Sequence, residues 1–414
     1  MVVDHTGGTY DGYLYVASND GGVIGVTRFF GSNPPSPYVS GTIDTSFGTN
    51  GTVLLSGFDS GHGTDVATSV AVAVGGDSNT YVAVCGYNTV GGWGAAAINT
   101  STGNVAFEDN TATLGITGQA NSISFDQSDL FSRAGDVIVA GAKGVSSICM
   151  AVIKLDIGSG SFDTGWHTTG IVTIPAVCSG CSWATSAFEL GDGTSSEKVI
   201  VGGYSLYSSS GVSEQDFTIV ELDDSGNKVS GFGSSGMVLT NFGKLISGAT
   251  NNPSMDHMAK VLEYNGELTA VGYSNAKGSN QFAIAQYNET SGALYTGFNS
   301  HGLVLGPTGT ATSAVVETVN GNSDLMVCGN VSFDVLLARY TTSGAADSLF
   351  GTGANDTIQS DFGVGGTGGS NSNDAAYSVD LLDDGSIIVG GSTTPSGGSA
   401  EILLADYTPE NRPT

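Results

Sequence analysis

The chain has 414 residues with 11 Lys and Arg against 39 Asp and Glu, a formal net charge of −28. So few basic residues are hardly enough to assemble the cationic patch that nucleic acid or an anionic membrane surface needs, which makes both poor partners. Only 12% of residues are charged, roughly half the usual quarter, so the surface is expected to be mainly Ser, Thr, Asn and Gly, as on extracellular and virion-exposed β proteins.

From the N-terminus the chain reads as short apolar runs, rich in β-branched and aromatic types and bounded by Gly, Asp, Asn or Ser, the signature of strands and turns. Helical periodicity is absent. The first unit opens on Met1-Val-Val as an innermost strand, carries a Pro-rich insert at residues 32–37, and reaches the turn Asp44-Thr-Ser-Phe47-Gly48-Thr-Asn-Gly51-Thr-Val53. First-strand phrases follow at Ala67-Thr-Ser69, Ala120-Asn-Ser122, Ala184-Thr-Ser186 and Ala376-Tyr-Ser378. Second-strand phrases occupy residues 82–87, 137–141, 199–204, 268–273, 325–329 and 386–391. Third strands occupy 95–98, 150–153, 217–220, 282–285, 335–338 and 402–407.

The glycine-rich turn with its aromatic and following apolar pair recurs at Phe47, Trp166, Phe232, Phe298 and Phe350, and Phe107 stands where another copy is due. The mean step is roughly 60 residues, the scale of propeller and solenoid repeats. Four strands per unit and seven units predict an all-β, seven-bladed β-propeller of four-stranded antiparallel blades. The expected blades are 1–58, 65–117, 118–176, 182–242, 255–306, 310–362 and 373–408 of a single domain, 1–414. The small side chains of the first strands suit the narrow end of each wedge. The turn aromatics are then expected to fill seams between blades, not to form a ligand-stacking box.

These phrases resemble the delta-60 repeat family of β-propellers, whose unit carries an Asp-Thr-Ser-Phe-Gly turn and an Asp-Gly before a Val-Val-x-Gly strand. Residues 44–53 and 383–391 are near matches, while the second unit departs at Asn104-Val-Ala-Phe107-Glu-Asp-Asn110, which has lost the turn glycines. The resemblance implies a seven-bladed propeller of the kind found on surface or secreted proteins. It brings no shared catalytic residues.

Chemistry-bearing motifs are scarce, and no catalytic, cofactor-binding or metal-ligating residues are assigned. No GxSxG, HExxH or P-loop occurs. Gly363-Val-Gly365-Gly-Thr-Gly368 matches a dinucleotide fingerprint by letter but precedes a strand instead of opening a helix. His5, His62, His167, His257 and His301 are scattered over different units and turn positions. Cys85, Cys149 and Cys328 read as buried small hydrophobes. Cys178-Ser-Gly-Cys181 reads as free thiols, a local disulfide or half a metal site. No cofactor is expected; calcium is left open at Asp223-Asp224-Ser-Gly-Asn227 and Asp383-Asp384-Gly385, where ordinary turn chemistry competes. Sequons at Asn50, Asn99, Asn288, Asn330 and Asn355 match chance and carry no information.

Function is therefore expected to be non-catalytic: a structural or interaction propeller on a virion, extracellular filament or cell surface, contacting other protein chains in an assembly. A glycan-binding propeller and an enzyme with a channel-mouth site are the alternatives. Met1-Val-Val-Asp4 lacks the regions of a secretory signal, and no run approaches a membrane span, so no membrane insertion is expected. The seventh unit ends after its third strand, without a glycine-rich turn or fourth strand. That strand is expected to be an open edge, shielded by Pro409 and Pro413 or covered by a neighbouring protein.

Overall fold

The computed structural model describes residues 1–32, 34, 37–58, 64–75, 77–109, 111–126, 136–144, 147–175, 181–191, 197–209, 212–319, 322–351, 356–362, 372–395 and 398–408. Strands in these residues form seven antiparallel sheets in which neighbours in sequence are neighbours in space. The first is Val2–Val3, Leu14–Asp20, Val23–Phe29 and Thr52–Leu54, and the second Asp65–Val74, Thr80–Asn88, Gly92–Asn99 and Val105–Asp109. The third is Gly118–Phe125, Val137–Lys143, Cys149–Leu155 and Ile171–Ile174, and the fourth Cys181–Leu190, Lys198–Ser209, Val212–Asp223 and Met237–Thr240. The fifth is Asp256–Tyr264, Glu267–Ser274, Gln281–Tyr287 and Leu303–Thr308, and the sixth Thr310–Val319, Asn322–Val331, Asp334–Tyr340 and Thr357–Ser360. The seventh has three strands, Ser372–Leu381, Ile387–Pro395 and Glu401–Tyr407.

These sheets are the blades of a seven-bladed β-propeller, the last of them three-stranded. Helix is confined, among the described residues, to the four-residue turns Thr111–Leu114, His167–Gly170 and Phe242–Leu245, and no helix is long and apolar enough to cross a membrane. The chain divides into two compact units, one of Met1–Ser210 with Ile219–Met237 and one of Gly211–Thr218 with Val238–Thr414.

The recurring Ala-x-Ser of the first strand is a β-bulge. Register shifts fall at Ala67/Ser69, Ala184/Ser186, Met258/Lys260, Ala311/Ser313 and Ala376/Ser378, and opposite Ala140/Gly141 in the third sheet. One residue on the first strand is thereby left unpaired and the strand turns sharply. The second strand must then approach closely, which explains the glycine within it: a Cβ at Gly86, Gly141, Gly203, Gly272, Gly329 or Gly391 would strike a first-strand carbonyl oxygen. The unpaired residue links blades within each unit. Thr68 Oγ1 donates to the Ala120 carbonyl at 2.8 Å and Asn121 Nδ2 to that of Ala184 at 2.8 Å; Thr312 Oγ1 donates to that of Ala376 at 2.9 Å.

The turn aromatics are core residues. Phe47, Trp166, Phe232, Phe298 and Phe350 are each at most 2% exposed, and Phe107 is 6% exposed. Phe47 packs with Tyr15, Val82 and Ile98, Trp166 with Ile138, Ala184 and Val220, and Phe350 with Leu337, Ala376 and Val389. Each ring thus sits in a cluster drawn from two successive sheets. The turn of the following sheet closes on it through a glycine: a Cβ at Gly226 would lie 3.3 Å from Trp166, and one at Gly344 would lie 3.0 Å from Phe298. Both glycines also hold φ between +74° and +78°, where a side chain is strained.

Two expectations are corrected. Cys149 begins its strand half-buried and is not a buried hydrophobe, because the strand end is open beside it, with Ser147 exposed and Ile148 half-buried. His257 is a strand residue of the fifth sheet, half-buried with its ring stacked on Tyr273 at 5.0 Å between centroids.

Candidate functional site

The seventh sheet is where the repeat breaks. Its third strand pairs with the second from Ile387↔Tyr407 to Thr393↔Glu401, and among the described residues nothing pairs with its outer side. In the other six sheets a fourth strand lies there. Ile402 is 44% exposed, and Glu401 and Asp406 are exposed as well. Residues 1–10 do not complete this sheet, since Val2 and Val3 pair with Tyr15 and Leu14. Pro409 and Pro413 lie outside the described residues.

A row of polar residues at one third-strand position shows what a fourth strand normally brings. The position is Arg28, Lys154, Glu221, Gln286 and Arg339 in five sheets, and all five are buried. The carbonyl of each accepts an N–H from the turn that leads to the fourth strand: from Asp44 at 2.9 Å, Asp163 at 3.0 Å, Val229 at 3.0 Å, Tyr295 at 2.8 Å and Asp347 at 2.9 Å. Side chains add ion pairs. Arg28 Nε donates to Asp44 Oδ2 at 2.8 Å, and Arg339 Nε to Asp347 Oδ2 at 2.9 Å, with Glu317 against Arg339 Nη1 and Asp324 also near Nε. Lys154 pairs with Asp126, and Lys198 with Glu221 at 2.9 Å.

Asp406 holds this position in the seventh sheet. The registers Met326↔Arg339 and Ile388↔Asp406 align the two residues, each followed by Tyr. By the same alignment Glu317 and Asp324 become Leu382 and Ser386. The charge is reversed, and the acids that served the cation are gone with it. Partial burial and then the neighbouring Asp384 carboxylate push the Asp406 pKa up.

A second polar cluster surrounds Asp256, which opens the fifth sheet. Its Oδ2 accepts the Phe242 N–H at 2.8 Å and the Ser254 hydroxyl at 2.9 Å, and its Oδ1 accepts the Ser274 hydroxyl at 2.5 Å. The same clasp recurs where Asp65 accepts from Phe58 N–H at 3.0 Å and Asp374 from Phe362 N–H at 2.7 Å. It fastens the start of a blade to the segment leaving the previous one, a structural task. Burial, with Asp216 nearby adding to it, pushes the Asp256 pKa up to about 6 against its hydrogen bonds. A carboxyl whose folded pKa is raised favours folding while protonated, so that contribution is present near pH 4 and is lost as pH rises through about 6. Between pH 4.5 and 7 the loss is about 2 kcal/mol. Urea unfolding at the two pH values should show this slope in the native chain and a shallower one in Asp256→Asn.

The loops weighed for calcium are occupied by their own backbone. Asp223 Oδ1 accepts the N–H groups of Ser225 at 3.0 Å and Asn227 at 2.7 Å, and Asp384 Oδ1 accepts that of Ser386 at 2.9 Å. Gly226 in the first loop is the glycine that packs on Trp166. Two other groups, Asp126 with Glu189 and Glu197, and Asp334 with Asp361 and Asp374, bring one oxygen each within 4.8 Å of one another. Such spacing suits a hard cation, but Asp126 is paired with Lys154, and Asp374 accepts from Phe362, Ser372 and Thr393. Burial pushes the Cys85 thiol up to about 12 and the Cys328 thiol to about 11, which makes both inert. Cys181 is a free thiol. Cys178, His62, Asn355 and residues 363–368 lie outside the described residues.

No family model matches the chain, and no curated protein does. Among solved structures it is similar to a protein of unknown function from Dyadobacter fermentans DSM 18053, at 11% identity and a TM-score of 0.49, over 83% of this chain and 94% of that one. Saccharomyces cerevisiae Sqt1 is similar at 12% identity and 0.46, over 77% and 66%. An alpha-L-arabinofuranosidase from Clostridium thermocellum ATCC 27405 is similar at 11% and 0.33, over 70% and 94%. At these values none of them assigns an activity.

Proposed function

We propose that the chain is a non-catalytic interaction propeller of the delta-60 type, displayed on a virion, extracellular filament or cell surface, which engages another protein through the outer edge of its seventh blade. The observation that carries this reading is the unpaired third strand Glu401–Tyr407. A row of backbone N–H and C=O groups with no partner templates strand addition. Two further features support it. The five repeated turn aromatics, which a glycan-binding blade would present in pockets, are buried. Asp126, Asp223, Asp256 and Asp374 are engaged in an ion pair, a turn and blade clasps, where an enzyme would need such acids turned toward a substrate.

Hydrogen exchange tests the reading. In the isolated chain the outward amides of residues 401–407 should exchange far faster than those of Asp334–Tyr340, whose outer side is covered. In the native particle, filament or cell envelope the same amides should be protected. Protection already present in the isolated monomer, or none in the native assembly, would overturn the proposal.

A further inference from the structure

Resting on that edge reading, we infer that the segment docking on the seventh blade is a turn and β-strand from a different polypeptide, carrying a Lys or Arg that pairs with Asp406. The docking geometry is shown by the sixth blade. There the turn residue Asp347 gives its N–H to the Arg339 carbonyl and its carboxylate to the guanidinium, and Thr357–Ser360 then continues as the fourth strand against Val335, Leu336, Leu337 and Ala338. The matching surface of the seventh blade is Ile402, Leu403, Leu404 and Ala405, an apolar seat of the same length, followed by Asp406. An incoming strand laid on it in the same register puts its turn residue beside the Asp406 carboxylate.

Charge selects what that residue is. Asp406 is exposed, whereas its register equivalents are buried against partners. The residues corresponding to Glu317 and Asp324 are Leu382 and Ser386; Ser386 hydrogen-bonds Asp406, but the described residues of this blade include no Lys or Arg to neutralise it, and Asp384 adds a second negative charge nearby. An acid or a neutral group at the turn would cover Asp406 with its charge uncompensated and only hydrogen bonds such as that of Ser386 to hold it, which is costly. A lysine or arginine restores the ion pair with its polarity inverted.

The same requirement argues against a second copy of this chain. Its own turn residues at the pairing position are Asp44, Asp163, Val229, Tyr295 and Asp347, and its fourth strands, TVL, VAFED, IVTI, MVLT, LVLGPT and TIQS, contain neither Lys nor Arg. Exchanging a blade edge between copies would set an acid against Asp406 with three of these turns and an uncharged Val or Tyr with the other two. With 39 acidic residues to 11 basic ones, long-range attraction also favours a partner segment of positive charge.

The test uses two fluorescent peptides, one copying residues 44–56 and one with the Asp44→Lys change, titrated by anisotropy against the full chain and its Asp406→Lys variant. Asp406 is exposed, so the variant should fold, which circular dichroism checks. The Lys peptide should bind the native chain about tenfold more tightly than the Asp peptide, and Asp406→Lys should invert the preference. Equal affinities, or no inversion, would overturn the charge assignment and leave the edge reading standing. Failure of both peptides to bind the native chain would overturn both. Concentration-dependent dimers that protect residues 401–407 would identify a second copy as occupant and overturn the distinct partner.

Discussion

Arg339→Ala should lower the free energy of unfolding by about 3–5 kcal/mol, the cost of breaking a buried charge network by removing one partner. Arg339 is 1% exposed and lies among three carboxylates, with Asp347 at 2.9 Å, Glu317 at 3.2 Å and Asp324 at 3.7 Å. Its guanidinium also stands 4.7 Å above the Phe350 ring, so truncation removes packing as well as charge. The loss is large because the acids remain inside after the cation has gone. Adding Glu317→Gln to Arg339→Ala should therefore recover part of it, although Glu317→Gln alone in the native background removes an ion pair. Denaturant unfolding of the four proteins in this cycle checks the claim. A cost below 1 kcal/mol for Arg339→Ala, or strictly additive effects of the two changes, would mean that the charges are separately solvated.

The same network shows what can be seen in the sequence and what cannot. Strand order, blade number and burial of the turn aromatics were legible because each depends on local pattern: apolar runs of strand length, glycines that mark turns, and one repeated phrase. Arg28–Asp44 and Arg339–Asp347–Glu317 were not, since these pairs join residues 8 to 22 positions apart that no local pattern links, and an isolated Arg in an apolar run looks like an exposed edge. A signal was nevertheless present in Thr27-Arg28-Phe29, Ile153-Lys154-Leu155, Val220-Glu221-Leu222, Ala285-Gln286-Tyr287, Ala338-Arg339-Tyr340 and Ala405-Asp406-Tyr407. A polar residue recurring at this place in six of the seven units, the second having an apolar one there, marks a polar position, and five of the six are buried. Reading that column would have placed Asp406 as an acid which, unlike Glu221 with Lys198, has a Ser in place of the second-strand Lys. The Ala-x-Ser bulge was likewise visible only as small residues, because a register shift shows only in the pairing with the second strand, whose glycine lies against it. Cys149 and His257 were misplaced for a related reason: burial at the ends of a strand depends on which loops lie over them.

Phe298→Ala should destabilise the protein by about 3–5 kcal/mol, as a large-to-small change in a packed core. The ring is 0% exposed and packs with Val304, Leu325, Leu336 and Tyr340. Its turn is tied on both sides, with Phe298 N–H donating to the Tyr295 carbonyl at 3.1 Å and Gly302 N–H to the Phe298 carbonyl at 2.7 Å. The wall against it cannot close the gap easily, because Gly344 already approaches as near as a residue without a side chain allows. Phe298→Leu keeps much of the volume and should cost less than half as much. Gly344→Ala should also destabilise, since its Cβ would press on the ring at a backbone angle suited to glycine. These three changes separate a packing aromatic from a binding one. A ring used to stack a sugar would be dispensable for stability, so an unchanged unfolding midpoint for Phe298→Ala, measured by denaturant titration, would return the turn aromatics to consideration as a ligand site and weaken the case for the seventh-blade edge as the working surface.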